Sequence, residues 1–396
     1  MLLLLDDSGR QAEHNGLHGA TAARRQSKTA GRSWKTMKTT EIAVIGGGPA
    51  GLSAAIVASR LGAQVTLIDD NQRPGGQLIK QTHKFFGDKT HYCGTRGIDI
   101  AAILANELKL TTTEVVSGTS VIGFYPGSVL ALADRKRFFK LSCKSLIVAT
   151  GAAENNLLFP NNDLPGVYGA GAVQTLVNVY GVRPGKRVLM VGSGNIGLIV
   201  SYQLIQAGIR VVAVVEALPR IGGYNVHAAK LARLGIPILT SHTIKSAIGR
   251  EYVTGAIVCK LDRKFHPVKN SEHRVKVDII CLAVGLTPLT EILWQAGCHM
   301  VYIPELGGHV AWHNETMQTN QKNIYVAGDV SGIEEASTAM LEGRLAGASA
   351  FEYLRGKSKE SRMIINETRT ELRAIRQGPF SRRVVRGKKK LAKSLL

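Results

Sequence analysis

The sequence predicts an α/β protein built on two copies of one strand–loop–helix–strand unit, and three observations carry that prediction. Residues 42–45 and 187–191 are short apolar, β-branched runs. Each leads directly into a G-x-G-x-x-G loop, at 46–51 and 192–197, followed by a helix-compatible stretch and a second apolar run. The chain also holds 43 glycines and only 6% aromatic residues, a bias that suits sheets whose loops approach a ligand's phosphates closely.

Taken in order, residues 1–36 are polar and aperiodic, and are expected to be a disordered N-terminal extension or an upstream stretch with the natural start at Met37. A strand over 41–45, a helix over 52–61 and a strand over 64–68 make the first unit. A strand over 187–191, a helix over 198–207 and a strand over 210–215 make the second. Between and after them, 144–149, 277–284 and 323–327 read as buried strands ending at Thr150-Gly151, Gly285 and Gly328-Asp329. A helix is expected from about Glu335. Residues 360–375 form an amphipathic helix on the stripe Ile364, Ile365, Leu372 and Ile375, ended by Gly378-Pro379.

Both loops meet the contextual test for Rossmann-like dinucleotide binding. In Gly46, Gly48 and Gly51 the first glycine permits the turn, the second lets backbone N–H groups reach a pyrophosphate, and the third packs helix on strand. Pro49 and Ala50 complete the loop, and the N-terminus of the helix that follows favours phosphate. Asp69 stands where a carboxylate accepts ribose hydroxyls. Gly192, Gly194 and Gly197 repeat the pattern around Asn195 and Ile196, with Glu216 at the acidic position. A carboxylate there repels a 2′-phosphate and so favours NAD(H) over NADP(H), with Arg220 nearby to soften the preference.

The net charge of +21 is concentrated at the ends, with fourteen Lys/Arg against three Glu from Arg355 onward. Without a nucleic-acid motif, the basic strip from Arg382 to Lys390 reads as solvated tail or as a docking strip for a partner protein. The five cysteines show no C-x-x-C and no metal-ligand spacing, which points to a reducing, cytoplasmic compartment. No apolar run is long enough to span a membrane. His309 and His313 are four apart without a third ligand, and no metal is expected. His83 and Lys84 are candidates for acid–base or substrate contact, with an ordinary loop role as the simpler reading.

Further motifs carry a resemblance. Residues 319–329, ending in Ala327-Gly328-Asp329, resemble the second FAD-binding motif of the pyridine-nucleotide flavoproteins. Ala149-Thr150-Gly151 and Ala283-Val284-Gly285 resemble their crossovers between FAD and NAD domains. Pro74-Gly75-Gly76-Gln77 is similar to the segment beside the isoalloxazine in thioredoxin-reductase-like members, and Glu335-Ala336-Ser337-Thr338-Ala339 to the helix start facing flavin N1 and O2. The likeness covers roughly residues 40–356. It implies an NAD domain (153–290) inserted into a discontinuous FAD domain (37–152 and 291–356), with a basic C-terminal helix and tail over 357–396. It implies FAD at the first loop, bonded through its ribityl chain to Asp329, and hydride transfer between NAD(H) and FAD. No side chain is singled out as a catalytic acid or base. At the helix start Glu334 and Glu335 are expected to turn aside, because a carboxylate aimed at N1 would oppose reduction.

Disulfide reductases of this type carry a redox Cys pair. Cys93 has no neighbouring partner, so dithiol chemistry is not expected. Lys84-Phe85-Phe86-Gly87, Gly94-Thr95-Arg96-Gly97 and residues 332–337 are similar to α-type subunits of amino-acid dehydrogenases and oxidases (sarcosine oxidase, opine oxidase, dye-linked proline dehydrogenase, hydrogen cyanide synthase). That narrower likeness implies a hetero-complex with an electron-acceptor protein and a second flavoprotein. The third alternative is a nucleotide-binding module whose second site is vestigial.

Overall fold

The computed structural model describes residues 37–86, 89–378 and 381–394, so the extension expected over 1–36, Gly87 and Pro379 lie outside it. The described chain opens on β1 (Lys38–Ile45), whose last six residues are buried. α1 (Pro49–Arg60) starts on a proline, whose fixed φ suits a first helical turn. β2 (Val65–Ile68) then pairs parallel to β1. A 3-10 turn at Gly76–Lys80 and α2 (Gly97–Lys109) lead to β3 (Glu114–Val116), parallel to β2.

A meander follows: β4 (Ser120–Tyr125), β5 (Val129–Ala133) and β6 (Phe138–Val148). The strand expected at 144–149 is thus only the second half of a longer one. Phe138–Ser142 pair antiparallel with β5, and Leu141–Val148 run parallel to β1. The alternation of exposed and buried residues in its first half gives way to four consecutive buried ones, where the sheet is covered on both faces.

β7 (Ala152–Glu154) leaves this sheet for the second unit: β8 (Val167–Gly169), α3 (Ala170–Asn178), β9 (Arg187–Val191), α4 (Asn195–Gln206), β10 (Arg210–Glu216), α5 (Asn225–Arg233) and β11 (Ile238–Thr240). An antiparallel sheet of β12 (His242–Gly249), β13 (Val253–Lys260) and β14 (His273–Val275) comes next. β15 (Ile279–Leu282) then returns, giving the parallel order β11-β10-β9-β15-β8. β16 (Leu286–Pro288) pairs with β7, so the outgoing and returning crossings form one antiparallel ribbon.

After α6 (Glu291–Gln295) and the hairpin of β17 (Met300–Ile303) and β18 (Gly308–Ala311), β19 (Ile324–Val326) adds parallel to β6 in the first sheet. The second parallel sheet is therefore inserted between two strands of the first. Each sheet has its own core, with Leu52, Leu67, Leu146 and Ile147 in the first and Val188, Met190, Leu198 and Val214 in the second.

Three helices end the described chain. α7 (Ala336–Arg355) lies against α1, where Gly343 and Gly347 replace side chains that would strike the carbonyls of Ala50 and Ala54. α8 (Lys359–Arg376) starts at a capping box between Ser358 and Ser361. It buries Ile365 and Leu372, with Ile364 and Ile375 packed partly against the core. Most of the basic strip stays in solvent: Arg382, Arg383, Arg386, Lys389 and Lys390 are exposed. It forms α9 (Arg382–Lys393), which buries Leu391 against Ile303, Leu306 and Val310. Among the described residues no helix is long and apolar enough to cross a membrane.

Candidate functional site

Both glycine loops sit between the first strand of a parallel unit and a helix N-terminus. Gly46 and Gly192 have φ of 99° and 105°, the left-handed region that a side chain avoids. A Cβ on Gly51 would run into the Gly46 carbonyl, and one on Gly197 into the Gly192 carbonyl. The middle glycines differ: a Cβ on Gly48 would meet only the Gly76 Cα, at 3.9 Å, and one on Gly194 nothing within 4 Å. Each loop thus leaves open the side on which a pyrophosphate would lie. The first turns of α1 and α4 carry no acidic residue, so no carboxylate within them competes for their N–H groups, while at α7 the N-cap is Glu335. These cradles fit a dinucleotide's phosphates.

The repeat extends beyond the fingerprint. Asp69 accepts from the amides of Gly47 and Asn71, the latter at 2.7 Å. Glu216 accepts from the Ser193 amide and hydroxyl at 2.9 and 2.6 Å and from the Leu218 amide at 2.9 Å. Burial pushes the Asp69 carboxyl up, against those amide bonds. Six residues after each acid comes a glycine pair that packs beside the loop. Gly75 donates to the Gly47 carbonyl at 2.7 Å, and Gly223 to that of Ser193 at 2.8 Å. Gly76 lies close against Gly48, and a Cβ on Gly222 would be 3.7 Å from Gly194. Sequence reasoning missed Ser193, Gly222 and Gly223, although Asp-x5-Gly-Gly and Glu-x5-Gly-Gly stand in register with the two fingerprints.

The other expected residues fall on the same framework. Gln77 is exposed at the start of the 3-10 turn. Asn195 accepts from the Tyr224 amide at 2.9 Å, and Ile196 is exposed at the loop's mouth. Thr150 donates to the Leu289 carbonyl at 2.7 Å. Gly151 and Gly285 take positive φ at the two ends of the crossover ribbon. Gly328 turns at φ 77° beside Ala50. Asp329 accepts from the Glu334 amide at 3.3 Å. Desolvation first, then the charges of Glu342 and Glu334, push its carboxyl up to about 6.

At the start of α7 both acidic side chains are held aside. Tyr224 donates its hydroxyl to Glu335, and Arg376 of α8 grips Glu334 at 2.6 Å. Arg376 also reaches Glu342, 2.6 Å away and fully enclosed. Glu342 in turn accepts from the Gly328 amide (2.9 Å) and the Ser331 hydroxyl (2.8 Å). Lys388 of α9 completes the cluster, near Glu342 and His313. Burial and then Lys388 bring the His313 imidazole down to about 3. His309 packs instead beside Trp294 and Tyr302. Among the described residues no group of three His, Cys, Asp or Glu is placed to hold a metal. No motif announced Glu342, Arg376 or Lys388, because each lies in an otherwise ordinary helix.

Known proteins are similar to this chain in sequence and fold. The alpha chain of sarcosine oxidase from Rhizobium meliloti (strain 1021) is 29% identical over 315 residues, covering 76% of this chain and 28% of that protein. An opine oxidase subunit from Agrobacterium tumefaciens (strain Ach5) is 27% identical, covering 80% of this chain and 66% of its own length. The chain thus spans under a third of the first relative and about two thirds of the second. Among solved structures, thioredoxin reductase of T. acidophilum aligns with a TM-score of 0.65 at 20% identity, over 80% of this chain and 98% of that one. L-proline dehydrogenase of P. horikoshii aligns at 0.63 and 24% identity, over 85% and 60%. Both show the same two-dinucleotide-domain fold. Residues 40–343 match the family model for pyridine nucleotide-disulphide oxidoreductases. The chain belongs to that oxidoreductase family, whose members use a flavin and a nicotinamide dinucleotide.

Proposed function

We propose that this chain transfers a hydride between NAD(H) and FAD without a dithiol relay. In this reading FAD is held by Gly46, Gly48, Pro49, Ala50, Gly51, Asp69, Gly76, Gln77, Thr150, Gly151, Gly328, Asp329 and Ala336. NAD(H) is held by Gly192, Gly194, Asn195, Ile196, Gly197, Glu216 and Gly285, with Glu216 selecting against a 2′-phosphate. The observation that carries the reading is the open face at both Gly48 and Gly194 beneath an acid-free helix start. When bound, the two dinucleotides would supply the hydride donor and acceptor, and the chain's own residues would hold them.

The protein's own residues bind and orient. The first N–H groups of α7 offer partial positive charge, while Arg376 and Tyr224 keep Glu334 and Glu335 from opposing it. The thiols support a route without dithiols. Cys143 and Cys298 are buried and pushed up to about 12 and 11, chiefly by desolvation, and Cys93 stands exposed on a separate loop. Anaerobic titration of the flavin-loaded protein with NADH tests the proposal. Bleaching of the flavin band is expected at one equivalent, and an unbleached band overturns it.

One observation favours a second reading, as an α-type subunit that works beside a second flavoprotein in amine oxidation. The sarcosine and opine oxidase relatives are themselves subunits. Copurification with a second flavoprotein would support it.

A further inference from the structure

Apart from the two dinucleotide cradles, a cavity of about 320 Å³ opens between the segment 82–86 and helices α4 and α5. Its apolar walls are Leu198, Ile199 and Tyr202 of α4 and Phe86 of the segment. Its charged and imidazole groups are His83, Lys84, Arg96, His227 and Lys230, beside the neutral Thr82, Gln203 and Gln206, with no Asp or Glu in the lining. Among the described residues Lys84, Arg96 and Lys230 have no carboxylate partner.

Lys230 is held in place by rings and not by a counter-ion. Its Nζ lies 5.8 Å from the Phe86 ring centre and 5.4 Å from that of Tyr202. His227 meets Phe86 edge-on at 5.2 Å. The Nδ1 of His83 is buried without a hydrogen-bond partner. Desolvation, then His227 and Lys230, bring that imidazole down to about 4, so at neutral pH it stays uncharged and able to donate or accept. A buried polar atom left without a partner is unfavourable, and a cluster of uncompensated cations repels itself. A bound anion relieves both.

We propose that this cavity binds a small organic carboxylate, its charge met by Lys230 and His83 and its body lying against Phe86, Tyr202 and Leu198. The apolar wall favours such a ligand over inorganic phosphate, and the volume is at the small end of ligand pockets. Two side chains link the cavity to the start of α7. His227 stacks on Tyr224 at 6.1 Å, and the Tyr224 hydroxyl binds Glu335 at the start of α7. The proposal rests on the two-dinucleotide reading and names the class of organic compound the enzyme accepts beside it.

Calorimetric titration of the full-length, flavin-loaded protein with benzoate, benzamide and inorganic phosphate tests it. Benzoate should bind at least about tenfold more tightly than either of the others. Lys230→Met should lower benzoate affinity by about tenfold, with Lys230→Arg restoring most of it and flavin content unchanged in both. Equal binding of benzamide would mean an apolar slot without anion recognition and would overturn the proposal. So would phosphate binding as tightly as benzoate, or no heat from any of the three. A protein that purifies without flavin counts against the dinucleotide reading, while the benzoate titration still reports on the cavity.

Discussion

Lys388, on the last helix, donates to the carboxylate of Glu342 at 3.1 Å inside the molecule. Glu342 also bonds the Gly328 amide, so the C-terminal helix is tied to the loop that carries Asp329. Burial alone would raise the Glu342 carboxyl, but Lys388 and Arg376 outweigh it and hold it well below the usual range. A depressed carboxyl contributes stability that is present above its unfolded value of 4.5 and lost as pH falls below that value.

Lys388→Met should therefore cost about 3 kcal/mol near pH 7, because it leaves Glu334 and Glu342 with Arg376 as their one shared partner. It should also flatten the loss of stability below pH 4.5. Urea denaturation at several pH values reads both effects. An unchanged midpoint at every pH would mean that the cluster adds nothing to folding.

The middle and last glycines of the first loop should fail differently. Gly48→Val should leave the fold intact, since its Cβ meets only Gly76 at 3.9 Å, yet block flavin retention. Gly51→Ala places a Cβ on the Gly46 carbonyl and should destabilise the protein by about 3 kcal/mol whether or not flavin is present. Visible absorbance and thermal melts separate the two outcomes. A yellow Gly48→Val protein at normal stoichiometry would remove the pyrophosphate from this loop.

The chemistry-bearing turns are legible in the sequence because they are local. A glycine at positive φ, such as Gly46 or Gly192, and an acid closing a four-to-seven-residue strand are fixed by neighbours close along the chain. β6 reads short from its residues because its first half alternates and its second half does not, so the two halves show different periods. Glu342, Arg376 and Lys388 are invisible for a different reason. They meet through the packing of three helices, and a buried charge looks like any surface charge until its partners are in place. The basic strip is legible in part: its excess of Lys and Arg agrees with the exposed side of α9, while Leu391, Gly387 and Lys388, which dock α9 on the chain itself, carry no such signal.

Glu216 does two jobs that a pair of substitutions can separate. It holds Ser193 of the second loop, and in the proposed function it repels a 2′-phosphate. Glu216→Ala should weaken NADH use and narrow the preference over NADPH by about tenfold. Glu216→Gln keeps an acceptor for Ser193, so NADH use should suffer less while the preference still narrows. Steady-state kinetics with both nucleotides gives the ratio, and an unchanged ratio in both variants would remove Glu216 from cofactor selection.

Asp329 should trade stability for binding. Its carboxyl is pushed up to about 6 from an ordinary 3.8, because desolvation and the nearby Glu342 and Glu334 disfavour the charge. A raised carboxyl favours folding below its unfolded value, and that contribution is lost as pH rises through the folded value. At pH 7 the ionised group is therefore a net cost to folding. Asp329→Asn removes it while keeping the shape, so the flavin-free protein should gain about 1–3 kcal/mol at pH 7 and almost nothing at pH 4. The same change removes the acceptor proposed for the ribityl chain, and flavin affinity should fall by about tenfold or more. Denaturation of the flavin-free variant at the two pH values, alongside flavin titration, tests both halves. A variant no more stable than the parent at pH 7 would show that the carboxylate is not disfavoured by its surroundings. Unchanged flavin affinity would mean that the group serves the fold alone.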